Sequence, residues 1–232
     1  MSDDSLPTKL RTHLDLSRCH PLTPVPKSVG NVNSLTHLDL SNCVGLRSLP
    51  KSFWNLRALT HLDLNGCEKL TSVSDLIGNL TSVTHMNFRC CYLLSSLPES
   101  IGNLVALTYL NFNECCQLGL LPESIGNLDK LTQLDLSGCG ALTWVPESIG
   151  NLKSLVVFDL TGCELLTALP KSIGNLTALK RLTLAFCVML RLLPESIGNL
   201  TSVTHLNLRQ CWTMRSLPES IGNLTALTFL GL

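Results

Sequence analysis

The chain has 232 residues, of which 45% are apolar and 15% are charged. This excess of apolar residues suits a continuous core and excludes an intrinsically disordered chain. Lysine plus arginine and aspartate plus glutamate number 17 each, and this balance gives no electrostatic reason to expect nucleic acid or an anionic membrane as a partner. No apolar run approaches the roughly 18 residues that a membrane-spanning helix needs.

A 24-residue period runs through nearly the whole chain and is marked by nine evenly spaced cysteines. A period of this length is typical of solenoids, in which each coil contacts only its neighbours and the core runs along the axis. We therefore predict a single repeat domain over residues 10–232, preceded by a lead-in of residues 1–9 that has no clear cap. The nine cysteines, called the cysteine ladder below, are Cys19, Cys43, Cys67, Cys91, Cys115, Cys139, Cys163, Cys187 and Cys211.

Each repeat contains a short segment in which apolar and polar residues alternate, as in His37-Leu38-Asp39-Leu40. Alternation with period two predicts a β-strand that buries the leucines and turns the histidine and the aspartate to the other face. Because every copy repeats this alternation, the strands should pair in parallel and in register.

The rest of each repeat must return the chain to its starting side. In the second full copy, Leu46, Leu49, Phe53 and Leu56 are spaced by three or four residues, which favours tight 3₁₀ or irregular turns over a long helix. A proline such as Pro50 removes a backbone donor that such a turn can spare. We expect strands on the concave side of an arc, turns on the convex side and few true α-helices.

Some copies depart from the repeat. Phe53-Trp54 stands where most copies have Ile-Gly, and Val73-Ser74-Asp75 lacks the usual proline. The last strand stops at Leu232, and neither end shows a polar capping element. Since solenoids normally need capped ends, the exposed terminal strands predict weak end-to-end self-association.

The pattern Leu131-Thr-Gln-Leu-Asp-Leu-Ser-Gly-Cys139, followed by the segment from Leu142 to Leu152, resembles the leucine-rich repeat family. The resemblance covers residues 10–232 and implies an α/β-type horseshoe or arc of about nine coils plus a partial tenth. It also implies recognition of another protein or peptide on the concave strands. The motifs Leu-Pro-Glu-Ser-Ile-Gly-Asn-Leu and Leu-Asp-Leu-Ser-Gly-Cys are most similar to repeats of plant intracellular nucleotide-binding immune receptors of the TIR type. That similarity implies a role in plant defence and innate immunity.

The cysteines have a structural interpretation. A thiol stacked at the bend after each strand can fill space and donate weakly to a carbonyl of the neighbouring coil. A straight column does not converge on a tetrahedral zinc site. The first residues, Met1 to Ser5, show no export signal, so we expect reduced thiols and a cytoplasmic location. Cys90 and Cys116 lie beside the ladder, and we expect Cys90 to be the more exposed and reactive of the two.

Histidines occupy the same strand position in four successive copies, with aspartates at the position two residues later. Two interpretations stay open for this strip. It could bind a divalent metal through imidazole and carboxylate ligands. Alternatively, it is a solvated stripe in which the aspartates favour nearby histidinium, and this second interpretation is the one we prefer. The four histidines are His13, His37, His61 and His85.

Function should reside where the outward positions stop repeating, because binding surfaces favour tyrosine, tryptophan and arginine. The rival hypothesis is a structural or consensus-like scaffold without a dedicated ligand, which the near-identical copies favour. A regular sheet face lacks a preorganised pocket, so we expect no enzymatic activity, and we expect no cofactor. The predicted ligand-binding residues are His37, Asp39, His61, Asp63, His85, Arg89, Tyr109, Asn111, Arg181, His205, Arg209 and Phe229.

Overall fold

The computed structural model describes residues 12–19 and 25–232, which form a stack of coils with one three-residue strand in each. The predicted lead-in of residues 1–9 lies outside the described residues. The ten strands are β1 (His13–Asp15), β2 (His37–Asp39), β3 (His61–Asp63), β4 (His85–Asn87), β5 (Tyr109–Asn111), β6 (Gln133–Asp135), β7 (Val157–Asp159), β8 (Arg181–Thr183), β9 (His205–Asn207) and β10 (Phe229–Gly231).

The strands form one parallel sheet in sequence order, from β1 at one edge to β10 at the other. The register places equivalent residues of successive copies side by side, so that His37 pairs with His61 and Leu38 with Leu62. The parallel, in-register sheet expected from the repeat is confirmed. The solenoid arc with one strand per coil is confirmed as well.

Within the described part of the chain, nine 3₁₀ turns of five residues make the return path on the convex side. Proline precedes eight of them, and Ser74 precedes the remaining one. Among residues 12–19 and 25–232 there is no α-helix, and no helix is long and apolar enough to cross a membrane. The turns are η1 (Lys27–Asn31), η2 (Lys51–Asn55), η3 (Asp75–Asn79), η4 (Glu99–Asn103), η5 (Glu123–Asn127), η6 (Glu147–Asn151), η7 (Lys171–Asn175), η8 (Glu195–Asn199) and η9 (Glu219–Asn223).

The cysteine ladder lines the core, as predicted. In one coil the thiol of Cys139 donates to the carbonyl oxygen of Phe112 in the preceding coil at 3.3 Å, and seven other ladder thiols make the equivalent bond. All eleven cysteines, every one of them within the described ranges, are unpaired. Burial raises the pKa of the Cys187 thiol to about 12, so a buried ladder thiol is a poor nucleophile at neutral pH.

Consecutive 3₁₀ turns touch through their backbones at glycine. A Cβ atom on Gly150 would lie 2.5 Å from the carbonyl oxygen of Ser172, and one on Gly126 would lie 2.4 Å from that of Ser148. Both distances are far shorter than a van der Waals contact. Glycine is therefore the residue that lets one turn approach the next.

The second coil breaks this arrangement. Trp54 replaces the glycine of η2, and its side chain is only 1% exposed. In the next coil Leu76 replaces the serine, and η2 and η3 pack less closely than any other consecutive pair of turns that the structure describes. A buried indole thus takes the space that backbone contact fills elsewhere.

The convex side also carries a row of capping glutamates. The Glu99 carboxylate accepts a hydrogen bond from the Ser124 amide of the next coil at 3.1 Å. Glu147 accepts from the amides of Lys171 and Ser172 at 3.2 and 3.0 Å, and the bond from Ser172 is the main reason why its pKa is lowered. The first backbone amides of a 3₁₀ turn have no acceptor within the turn, and each carboxylate supplies one.

The residue before each ladder cysteine adopts a left-handed backbone conformation, with φ between 56° and 75°. Glycine meets this requirement in three coils, at Gly66, Gly138 and Gly162. In the other six coils a side chain is held in a conformation that L-residues disfavour. Those six residues are Arg18, Asn42, Cys90, Glu114, Phe186 and Gln210.

Candidate binding surface

The first and third residues of each strand form the outer, concave face of the sheet. In β2, His37 and Asp39 are partly exposed, whereas Leu38 between them is buried. The outward residues of β1 to β5 line a shallow cavity of about 390 Å³. The sequence prediction that the histidine and aspartate columns share this face is confirmed by the register.

The four histidines form a continuous stack. The ring centroids of His13 and His37 lie 4.1 Å apart, those of His37 and His61 lie 4.2 Å apart, and those of His61 and His85 lie 4.4 Å apart. Tyr109 extends the stack at 5.8 Å from His85. The in-register pairing of three-residue strands forces the rings into this arrangement, since each lies beside its counterpart on the next strand.

Each imidazole is held by the threonine that precedes it. The Oγ1 atom of Thr60 lies 2.9 Å from Nδ1 of His61, and it also donates to the carbonyl oxygen of Thr36 at 3.0 Å. The same pair of contacts recurs at His37 and His85. The rings are therefore fixed by the sheet and not by one another alone.

The aspartate and asparagine column supports the bend that follows each strand. The Asp39 carboxylate accepts a hydrogen bond from the Ser41 amide at 2.7 Å, and the Asp63 carboxylate accepts from the Asn65 amide at 2.8 Å. Asn87 makes the same bond to the Arg89 amide at 3.1 Å. In each of these three coils one side-chain oxygen thus supports the bend, as aspartate and asparagine commonly do in turns.

The expectation that aspartates favour nearby histidinium is wrong for two of the histidines. Burial lowers the pKa of His37 and of His61, and the neighbouring imidazoles lower both further. Aspartate does not offset this effect. Burial also raises the pKa of Asp63, in spite of the hydrogen bond from the Asn65 amide. Burial and the neighbouring imidazoles therefore favour the neutral form of His37 and of His61 at pH 7.

The described residues contain no group of three or more histidine, cysteine, aspartate or glutamate side chains placed to hold a metal ion. Parallel stacked rings point their nitrogen atoms side by side and do not make them converge, whereas Zn²⁺ takes ligands that converge tetrahedrally. The arrangement therefore does not support the metal interpretation of His13, His37, His61 and His85.

The outer face changes character after β4. The Tyr109 hydroxyl accepts a hydrogen bond from the Asn111 side-chain amide at 2.8 Å, and Asn111 also accepts from the Asn113 amide at 2.7 Å. Asn111 is only 8% exposed, so its predicted contact with a ligand would be small. Arg89, two residues after the end of β4, is exposed.

A second group of predicted residues lies at β8 to β10. The rings of His205 and Phe229 stack at 5.8 Å, and the Arg209 guanidinium lies 5.7 Å from the Phe229 ring centroid, within cation–π range. Arg181 pairs with His205 in the register. This group is separated from the histidine stack by β6 and β7, so the twelve predicted residues form two patches on one face.

Sequence reasoning missed one exposed feature. Leu120, Trp144 and Leu192 occupy the fifth position after the ladder cysteine in three of four successive coils, with Ala168 between them, and all three are exposed. Comparison of that position across copies would have revealed the column, because the three copies directly before Leu120 carry serine there.

Comparisons with known proteins support the repeat architecture. Residues 86–188 match a family described as "Leucine-rich repeat region", and residues 33–78 match one described as "Leucine Rich repeats (2 copies)". The chain is similar to the leucine-rich repeat domain of the type III effector XopL, with 30% identity, a TM-score of 0.80, and coverage of 95% of this chain and 76% of that one. A Leptospira interrogans leucine-rich repeat protein, LIC12759, matches at 22% identity with a TM-score of 0.45 and covers 94% of this chain and 83% of its own. No curated protein matches the sequence significantly.

Proposed function

Because this chain belongs to the leucine-rich repeat family, we propose that it recognises another protein through the concave face of its sheet. Domains of this family commonly act as protein-interaction modules. The observation that supports the proposal is the contrast within each strand. The central residue is a buried apolar side chain in β2 to β9, whereas the flanking residues change from histidine to tyrosine, glutamine, valine, arginine and phenylalanine along the sheet.

The contact surface in this proposal consists of the two patches. The first is the cavity from β1 to β5, with His37, His61 and Tyr109 at its centre. The second is the cluster of Arg209 and Phe229 with its neighbours on β8 and β9. Aromatic and arginine side chains of this kind supply most of the energy of typical protein interfaces.

The finer role we propose is that of the sensing region of a plant-type innate immune receptor acting in the cytoplasm by binding, without catalysis. The support is the similarity of its repeats to those of plant intracellular receptors, together with eleven unpaired thiols, which suit a reducing compartment. Fractionation of cells that express the tagged chain tests the compartment.

The test compares the intact chain with the double variant Tyr109→Ala, Arg181→Ala in affinity capture from a reducing plant-cell extract. A convex-side double variant, Glu123→Ala with Lys171→Ala, is the matched control. We expect at least one protein to be captured by the intact chain and the control but lost with the concave variant. That protein, purified, should bind the intact chain with a measurable Kd. Equal recovery of every protein by all three forms would contradict the proposal.

The alternative function is a structural repeat scaffold without a dedicated ligand. It is favoured by six identical Ser-Ile-Gly-Asn segments in the turns. End-to-end self-association stays a prediction for either function. A constant monomer mass by light scattering up to high concentration would argue against self-association.

A further inference from the structure

The histidine stack offers more than a set of aromatic rings, because its hydrogen bonds determine which nitrogen carries the proton. A threonine hydroxyl has a single hydrogen. At Thr36, Thr60 and Thr84 that hydrogen is donated to a backbone carbonyl oxygen of the preceding coil, at 2.9, 3.0 and 3.1 Å. The contact of 2.9 Å between each hydroxyl and the next histidine must then be donated by the imidazole.

The neutral imidazoles of His37, His61 and His85 are therefore protonated on Nδ1, and their Nε2 atoms carry lone pairs. No residue in the described ranges donates to these Nε2 atoms. The ring spacings of 4.2 and 4.4 Å place three bare acceptors in a row along the cavity. The lowered pKa of His37 and of His61 favours the neutral form of these two rings at neutral pH.

The carboxylates beside this row add negative charge and further acceptors. Asp39 and Asp63 use one oxygen each for the amide of the following bend, and no described residue donates to the other oxygen. The titratable groups that line the cavity with the histidines are Asp15, Asp39, Asp63 and Tyr109. The nearby cations are Arg18, which lies close to Asp15, and Arg89, which lies close enough to Asp135 to lower its pKa.

Along β2 and β3 the cavity thus presents hydrogen-bond acceptors and carboxylates, and neither strand carries a lysine or an arginine. Its complement is a ligand that is rich in donors and positively charged. Arginine and lysine side chains meet both conditions, since they carry five and three donors and accept no hydrogen bonds.

We propose that the cavity over β1 to β5 binds a basic segment of a partner protein, whose arginine or lysine side chains donate to the row of Nε2 atoms and to the Asp39 and Asp63 carboxylates. This inference rests on the proposed function and names the chemistry of the partner at one of its two patches. Protonation of the imidazoles turns the acceptors into charged donors, so binding of the basic segment is lost as the pH falls below about 6.5.

The probe is a fluorescently labelled, terminally blocked tetra-arginine peptide, and the readout is fluorescence anisotropy at low ionic strength. A tetra-glutamate peptide is the charge-reversed control. Binding of tetra-arginine at pH 7.5 should be at least about tenfold tighter than at pH 5.5, as expected when neighbouring imidazoles at the site gain positive charge. Tetra-glutamate should not bind at pH 7.5.

Two pairs of variants assign the binding to the cavity. Asp39→Asn with Asp63→Asn keeps the bend, because Asn87 makes the same bond naturally, and should weaken tetra-arginine binding about tenfold. The matched control, Asp135→Asn with Asp159→Asn, removes the same charge from β6 and β7 and should leave binding unchanged. His37→Phe with His61→Phe should weaken binding and reduce its pH dependence.

Equal effects of the two aspartate pairs, or unchanged binding in the double histidine variant, would overturn the assignment. Absence of tetra-arginine binding to the folded chain would overturn it too. The protein-recognition proposal has a separate readout, because a partner captured through Tyr109 and Arg181 could still bind if the tetra-arginine probe fails. Thermal unfolding of each variant at pH 7.5 checks that the fold is intact.

Discussion

The convex turns and the concave strands of this protein follow opposite rules. On the convex side, six turns share the segment Ser-Ile-Gly-Asn, and successive turns touch through glycine and a serine carbonyl group. On the concave side, strands in the same register carry histidine, tyrosine, glutamine, valine, arginine or phenylalanine at one position. Variation is tolerated where side chains point away from the coil and is rare where backbones meet.

The pair of turns η2 and η3 shows why the other convex turns keep glycine and serine. At Trp54 the glycine is replaced, the serine of the next coil is replaced by Leu76, and η2 and η3 pack less closely. The two substitutions occur together because a bulky side chain leaves no space for backbone contact. The convex side can thus change only in matched pairs, whereas the concave side can change one residue at a time.

The largest expected effect on stability comes from truncation of the Trp54 side chain. Trp54→Ala should lower the free energy of unfolding by about 3–5 kcal/mol, because it empties the space of a fully buried aromatic side chain. Urea unfolding followed by circular dichroism measures the change. Trp212→Ala is the matched control, since Trp212 is 76% exposed and its loss should change stability by less than about 0.5 kcal/mol. Similar losses of unfolding free energy in the two variants would show that Trp54 is not a core residue.

The next effect tests the backbone contact itself. Gly150→Ala should lower the free energy of unfolding by about 2 kcal/mol, because the new methyl group would lie 2.5 Å from the Ser172 carbonyl oxygen and the turns must separate. Gly140→Ala places its methyl group where no atom lies within 4 Å, and it should be neutral or slightly stabilising. If both variants cost the same, close approach is not the reason for glycine in the turns.

A smaller effect concerns the left-handed position before the ladder cysteine. Gly162→Ala should cost about 1 kcal/mol through φ alone, since no atom other than those of Gly138 would lie near the methyl group. Phe186→Gly should stabilise by about 0.5 kcal/mol, because relief of the strained φ exceeds the entropy that glycine adds to the unfolded chain.

The two thermal midpoints should therefore move in opposite directions. A loss of stability in both variants would mean that the Phe186 side chain stabilises its strained position.

The smallest effect lies on the concave side and depends on pH. The pKa values of His37 and His61 are lowered in the folded chain, so the unfolded chain binds more protons once the pH falls below about 6.5. Their contribution to stability is therefore complete above that pH and declines on acidification toward the folded pKa. The thermal midpoint should fall more between pH 7.5 and pH 5.5 in the natural chain than in His37→Phe with His61→Phe.

His205→Phe serves as the control for this measurement, because Arg181 and Phe229 flank His205 in place of other imidazoles. It should keep the pH response of the natural chain. An identical response in all three proteins would show that the stack does not resist protonation. The capping glutamate Glu147 affects stability in a lower pH range. Because its pKa is lowered in the folded chain, its contribution to stability is lost only as the pH falls below about 4.5.

Much of the fold could be predicted from the repeat. The spacing of Leu38, Leu40 and Cys43 places a buried strand and a thiol in every coil, and the structure agrees. The positive φ before each cysteine was not predicted, although Gly66, Gly138 and Gly162 at one position were the available signal. The candidate site was predicted only as a set of outward columns. The position of the proton on each ring depends on a carbonyl oxygen one coil away, which accepts from the adjacent threonine hydroxyl and which a single copy of the repeat does not reveal.

The sequence by itself determined the period, the buried face of each strand and the side on which variable residues lie, because apolar residues at spacing two and a fixed 24-residue step allow only one parallel stack. The tertiary structure alone decided what the outward columns can do. Stacking at 4.1–4.4 Å makes four separate histidines into one row with depressed proton affinity at its centre. That property arises from contacts between residues 24 positions apart, and only the folded stack brings them together.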